Sequence, residues 1–281
     1  MTGFDFYDII IHEEKGSRDD MSTYVMSDFH GRHDLFLKML EKISFCDEDT
    51  LYILGDVADR GPDGIKTFLY IMDKPNIIYL IGNHDIFLLD CARKALVKGG
   101  GIRLFHTQEF LLWMYNGGDP TWEQYSRLDR IQQRKILAYL ANSYVIIPNL
   151  KVGDRNFYLC HATHADTPYQ EPVKYKDADP EMRNHVVWDR VYPRYTRMSM
   201  EFDHISYDEL YNKYPKNTKM IFGHTPTILF KGPERDGRGR IWHGGHGHLI
   251  DIDCGCAARS KENVMLGCLR LDDLAEFYTH Y

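Results

Sequence analysis

Short apolar runs punctuate the chain at 23–27, 51–54, 77–81, 144–147, 156–160, 219–222 and 249–252, rich in Val, Ile, Leu, Tyr and Phe. Runs of this length and content predict buried strands. Between the first three lie "DLFLKMLEKI" and "GIKTFLYIMDK", whose apolar positions recur at helical spacing, so the N-terminal third predicts βαβαβ. Parallel strands joined by helices bring their carboxyl ends to one rim, where open α/β sheets bind ligands.

From Ile86 to about Asn142 the periodicity is helical, in "IFLLDCARKAL", "FHTQEFLLWMY" and "RIQQRKILAYL", interrupted at "KGGG" and "NGGDP". An all-helical insertion is expected there. The second half returns to strands, and "SYVIIPNLKVGDRNFYLCHA" predicts a hairpin turning at Gly153 and Asp154. Residues 166 to 215, rich in Tyr, Arg, Pro and Asp, are weakly periodic and predict a long surface excursion that covers a site like a lid. Residues 1 to 22 are expected to add a short hairpin to a sheet. No repeat, low-complexity tract or linker divides the chain, so one domain over 1–281 is expected.

The 281 residues are 43% hydrophobic and 27% charged. No apolar run approaches the roughly 18 residues that span a bilayer. The N-terminus is acidic where a secretory leader is basic, so a cytoplasmic location with no membrane partner is expected. A net charge of −7 and a pI near 6.0 argue against nucleic-acid duplexes as partners, and an anionic ligand then needs a local positive site. Six cysteines are too sparse for a disulfide scaffold. Cys254, Cys256 and Cys268 read as reduced core thiols, because "LIDIDCGCA" alternates like a strand rather than a zinc loop. Oligomeric state has no signature here.

Chemistry gathers where the strands end. "TYVMSDFHG" delivers Asp28 and His30, "LYILGDVADRG" delivers Asp56, Asp59 and Arg60, and "NIIYLIGNHD" delivers Asn83, His84 and Asp85. "LCHA" and "IFGHT" add His161 and His224. Mixed carboxylate and imidazole donors suit Mn, Fe or Zn, whereas an all-oxygen set suits Mg or Ca. One ion cannot use so many donors. A shared Asp between two ions about 3.5–4 Å apart uses them all and makes a clamp for phosphoryl chemistry.

The series "SDFHG", "GDVADRG", "GNHD", "LCHA", "WDR" and "FGHT", in this order from residue 27 to 225, resembles the metallophosphoesterases of the phosphoprotein phosphatase type. It is similar in particular to their short bacterial and phage members and to the symmetrical dinucleoside tetraphosphatases. "WMYNGGDPTWEQY" resembles the "NGG" segment of those short members. The resemblance implies an α/β fold: an αββα sandwich of two mixed β-sheets flanked by helices. It implies that Asp28 and His30 hold one metal, that Asn83, His161 and His224 hold a second, and that Asp56 bridges them. His84 would be the general acid, Asp59 its orienting carboxylate, and Arg60 and Arg190 the grips on phosphate oxygens. Two divalent ions, manganese foremost with iron or zinc as alternatives, would then activate a bridging hydroxide for in-line attack. Ser27 stands where the family usually has Gly, and Asp85 where many protein phosphatases have Glu. Neither is a ligand in this reading.

Three functions are weighed. The leading one is a phosphatase acting on phosphoserine, phosphothreonine or phosphotyrosine in proteins. Its rival is a dinucleoside polyphosphate hydrolase or another nucleotide phosphoesterase acting on a small phosphoester. A non-catalytic phosphate-binding scaffold is disfavoured, because every catalytic role has a residue to fill it. Outside the motifs, His12, His33, His106, His164, His185 and His204 read as surface or hydrogen-bonded residues. "WHGGHGH" places His243, His246 and His248 shortly before Asp251 and Asp253, and a glycine loop bordering the site is preferred to a separate metal site. "YPRY" at 192–195 reads equally as a stacking surface or a packed lid.

Overall fold

The computed structural model describes residues 21–97, 105–192, 205–206, 217–229, 239–257 and 265–280. Strand β1 (Thr23–Met26), helix α1 (His33–Lys42), β2 (Thr50–Ile53), α2 (Gly64–Ile71) and β3 (Ile77–Tyr79) form the expected βαβαβ unit. The helical insertion holds α3 (Asn83–Leu96), α4 (Gln108–Tyr115), α5 (Asp119–Arg127) and α6 (Arg130–Asn142). The hairpin of β4 (Tyr144–Val152) and β5 (Arg155–Cys160) turns at Gly153, whose φ is +59°. Then follow β6 (Val173–Lys174), α7 (Pro180–Trp188), β7 (Val191–Tyr192) and β8 (Ile205–Ser206). The last described strands are β9 (Thr218–Phe222), β10 (Trp242–Gly244), β11 (Leu249–Asp251), β12 (Met265–Arg270) and β13 (Glu276–His280).

Two mixed sheets result, in the orders β13-β12-β1-β2-β3 and β10-β11-β9-β5-β4-β6, with β7 and β8 a separate pair. Strands β1, β2 and β3 are parallel, and so are β5, β9 and β11. Alternation explains the layering. Val25, Tyr52 and Leu269 of one sheet pack with Ile147, Phe157, Leu159, Ile221 and Ile250 of the other. The intervening Tyr24, Met26, Leu51 and Ile53 face the helices with Leu35, Phe36 and Phe68. Strands buried on both faces read as continuous apolar runs, which is why their positions were predictable. A bridge between Leu80 and Tyr144 joins the sheets where β3 ends, so both sets of parallel strand ends open onto a shared rim.

Residues 166–192 of the expected excursion contain α7, begun by Asp179, whose side chain accepts the Glu181 and Met182 N–H groups, and by Pro180 in the first turn, while 193–204 and 207–215 lie outside the described residues. Other expectations fail. Strands β12 and β13 were not predicted, and β11 ends at Asp251, so "CGCA" is not strand. The glycine loop at 244–247 does not border the site. It precedes β11, and His248 Nδ1 lies 3.2 Å from Thr218 O at the start of β9, the rim opposite the site. His243 pairs with Glu276 at 2.7 Å. The cysteines are all free, and those of "CGC" are buried. The expected hairpin within 1–22 lies outside the described residues but for its last two positions, and "YPRY" but for Tyr192, as do His12 and His204. No described helix is long and apolar enough to cross a membrane.

Candidate metal centre

Six residues of the expected site adopt a left-handed backbone: Asp28 (φ 54°), His30 (39°), Asp56 (53°), Asp59 (72°), Arg60 (64°) and His224 (68°). Each costs about 1–3 kcal/mol for a non-glycine residue, so the rim is bent at some expense to aim these side chains. Main-chain bonds pin the bends: Asp28 N–H donates to Gly55 O at 3.1 Å, His30 N–H to Asp56 O at 3.0 Å and Gly223 N–H to His161 O at 2.8 Å. Bare glycines permit the close approach. A Cβ on Gly82 would stand 2.2 Å from Asp56 Oδ1, and one on Gly223 2.1 Å from Asp28 Oδ2.

Asp56 is central. Its Oδ2 lies 3.6 Å from His30 Nε2, while its Oδ1 lies 3.5 Å from His161 Nε2 and accepts the His84 N–H at 3.0 Å. One carboxylate thus faces two donor sets. His30 Nδ1 donates to Ala58 O at 3.0 Å and His161 Nδ1 to Leu54 O at 2.6 Å. A carbonyl only accepts, so both hydrogens reside on Nδ1 and both Nε2 lone pairs face the site. His224 is reversed: Nε2 donates to Trp188 O at 3.2 Å, which leaves Nδ1 as its acceptor. Asn83 Oδ1 stands 3.0 Å from His161 Nε2, two acceptors face to face.

Asp28 Oδ2 accepts from Ser27 Oγ at 2.5 Å and His224 N–H at 3.1 Å, and its buried Oδ1 has no hydrogen-bond partner. Converging lone pairs repel unless a cation lies among them, so these residues fit divalent ions with nitrogen and oxygen ligands. Two groupings form within the centre, His30, Asp56 and His84, and Asp56, His161 and His224, each with ligand atoms within 4.8 Å of one another. Asp28 stands outside both triads, and His84 takes its place in the first.

Burial governs the titrations. It raises Asp28 with help from Asp56, lifts Asp56 to about 7 and Asp59 to about 8, and lowers His84 and His161 to about 4. It also lowers His30 and His224, reinforced by Arg60 and Arg190 respectively. The centre thus disfavours its own charges, which added cations would stabilise.

His84 Nδ1 lies 2.7 Å from Asp59 Oδ2, which also accepts Trp113 Nε1–H at 2.8 Å. The exposed Arg60 donates to His30 Nε2 and His84 Nε2, each at 2.9 Å. The insertion fixes this turn: Asp59 N–H donates to Thr121 Oγ1 at 2.7 Å and Arg60 N–H to Gly117 O at 2.8 Å. Arg190 Nη1 donates to His224 O at 2.9 Å.

Sequence reasoning missed these supports and two more. Asp85 accepts from the Asp56, Ala58 and Gly82 N–H groups and from Tyr79 Oη, binding the second and third motifs together. Asp253 is buried, with its carboxyl raised first by burial and then by Asp28. Its only available signal was its place just beyond a buried strand.

A pH dependence follows. Asp56 and Asp59 keep protons in the folded metal-free chain that the unfolded chain, at an ordinary 3.8, has released. Their stabilising contribution is full below 3.8 and is lost as pH rises through 7 to 8. His84 and His161 act oppositely, but only below their ordinary 6.5. The melting temperature of chelator-treated protein is therefore expected to fall between pH 6.5 and 8, and a divalent cation is expected to oppose the fall. A flat or rising profile over that window would contradict the assignment.

Two mixed sheets with imidazoles and carboxylates gathered on a shared rim define an α/β protein with a candidate metal centre. More narrowly, the chain belongs to the calcineurin-like phosphoesterase family, whose profile matches residues 21–254. The symmetrical bis(5'-nucleosyl)-tetraphosphatase of Buchnera aphidicola subsp. Acyrthosiphon pisum (strain 5A) is 46% identical over 71 residues, 25% of this chain and 26% of that protein. Serine/threonine-protein phosphatase 2 of Salmonella typhimurium is 28% identical over 147 residues, 52% of this chain and 60% of that protein. The matches thus span about a quarter and three-fifths of these relatives. A solved structure of a candidate diadenosine tetraphosphatase shares the fold at a TM-score of 0.58 and 15% identity, over 94% of this chain and 95% of that one.

Proposed function

We propose that this protein is a metal-dependent phosphatase hydrolysing phosphomonoesters, with phosphoserine and phosphothreonine of proteins as substrates. Asp56 carries the proposal, because its two oxygens face separate donor sets at 3.6 and 3.5 Å. Asp28 and His30 would hold one cation, Asn83, His161 and His224 the other, and Asp56 both, with manganese the expected metal. Bound there, the ions supply an activated water and neutralise phosphate charge.

The remaining tasks fall to the chain itself. Arg60 offers a planar, permanently charged fork at the mouth, suited to phosphate oxygens that displace it from the two imidazoles. Arg190 approaches from the side of His224. His84 would protonate the leaving oxygen from Nε2. Its Nδ1, 2.7 Å from Asp59 Oδ2, ties the ring to a buried carboxyl that orients it and would stabilise the imidazolium form able to donate.

The likeness to the protein phosphatase runs over 52% of this chain against 25% for the tetraphosphatase, which supports the protein substrate. The higher identity to the tetraphosphatase, 46%, keeps dinucleoside polyphosphates as the second reading. We expect Mn²⁺-loaded protein to show a higher kcat/KM for phosphopeptides than for diadenosine tetraphosphate. The reverse preference would transfer the function to dinucleotide hydrolysis.

A further inference from the structure

We propose a second cation site, separate from the metal centre, in which His164, Asp166 and His185 bind zinc. His164 and Asp166 lie on the loop that follows β5, and His185 lies in α7; their ligand atoms fall within 4.8 Å of one another. His185 Nδ1 stands 2.5 Å from Asp189 Oδ2, one helical turn on. In the neutral ring that carboxylate takes the Nδ1 hydrogen, and the opposite nitrogen is then the lone pair available to a metal ion. His185 Nε2 is buried without a hydrogen-bond partner and faces Asp166 Oδ1 at 3.7 Å.

An imidazole lone pair set against a carboxylate is unfavourable until a proton or a metal ion joins them, and a metal ion joins His164 as well. Tetrahedral zinc with nitrogen and oxygen ligands at about 2.0–2.2 Å places neighbouring ligand atoms ~3.3 Å apart, so a few tenths of an ångström close the pair onto the ion. Asp189 then fills the part of the outer carboxylate that orients a zinc-bound imidazole. Two imidazoles and one carboxylate select zinc over magnesium or calcium, and three protein ligands leave a fourth position for water.

The surroundings agree. An adjoining cavity of about 550 Å³ is lined by Asp166, Asp179, Glu181 and Asp189 and by no Lys or Arg. Its negative field favours cation entry, and the Asp166 side chain, 69% exposed, opens the site to solvent while His164 is buried. The location gives the ion a task. Three residues before His164 stands His161, and α7 ends at Trp188, whose carbonyl receives the His224 Nε2 hydrogen. Zinc would clip together the two segments that support the second donor set.

The test is equilibrium dialysis of the metal-stripped full chain against Zn²⁺, with zinc counted per chain for wild type, His185→Ala and Asp166→Asn. Each variant is expected to bind one equivalent fewer than wild type. Asp166 is exposed, so its variant still reports if His185→Ala fails to fold. Equal stoichiometry in wild type and Asp166→Asn would overturn the site and leave His185 as a partner of ordinary ion pairs. The readout is a difference between proteins, so it stands whether or not the main centre performs the proposed hydrolysis.

Discussion

His84→Asn is expected to lower kcat on an alkyl phosphate by about 10²- to 10⁴-fold, the usual worth of a positioned acid. The loss should be far smaller on an aryl phosphate, whose phenolate leaves without a proton. The expectation rests on a buried imidazole held 2.7 Å from Asp59, with its other nitrogen directed to the mouth beside Arg60. Because His84 also belongs to the first triad, cation content must be measured in the same samples. Equal losses on both substrates, with metal retained, would remove His84 from the acid role.

Asp56→Asn is expected to weaken cation binding at both donor sets by more than about 100-fold, since even outer partners of metal ligands are worth 10- to 100-fold. Activity should fall with it. An amide lacks the charge that both sets share, and its NH₂ end would donate to one imidazole lone pair instead of ligating. Stability separates this outcome from misfolding. The buried carboxyl of Asp56 is strained toward protonation, with a pKa of about 7, so the metal-free variant should melt no lower than metal-free wild type at pH 8. Added cation should then raise the wild type alone. A variant that binds two ions and turns over normally would refute the bridging role.

The expected ligands were legible because each follows a strand buried on both faces, an apolar run that announces its own end. Their supports were not. Trp113 meets Asp59 across 54 residues and Thr121 across 62, and no local periodicity encodes such pairings. Strand β12 was hidden by Gly267 in "MLGCLR", yet that glycine is required where it stands, since a Cβ would lie 2.6 Å from Cys254 Sγ. Helix α7 did carry a readable signal in Asp179 followed by Pro180, overlooked because its apolar positions form no clear stripe. The histidine-rich loop misled through nearness in sequence. Three residues of extended chain cover about 10 Å, enough to put His248 and Asp251 at opposite ends of a strand.

The division between sheets and insertion separates two properties that an enzyme must otherwise tune together. The candidate cation donors come from the rims of the sheets and the first residue of α3, whereas Trp113, Gly117 and Thr121 hold the turn that carries Asp59 and Arg60. Replacement of the α4–α5 segment could therefore reset acid strength and phosphate grip while leaving metal loading intact. Such a chain is open to diversification by exchange of one module, with its inorganic chemistry inherited unchanged.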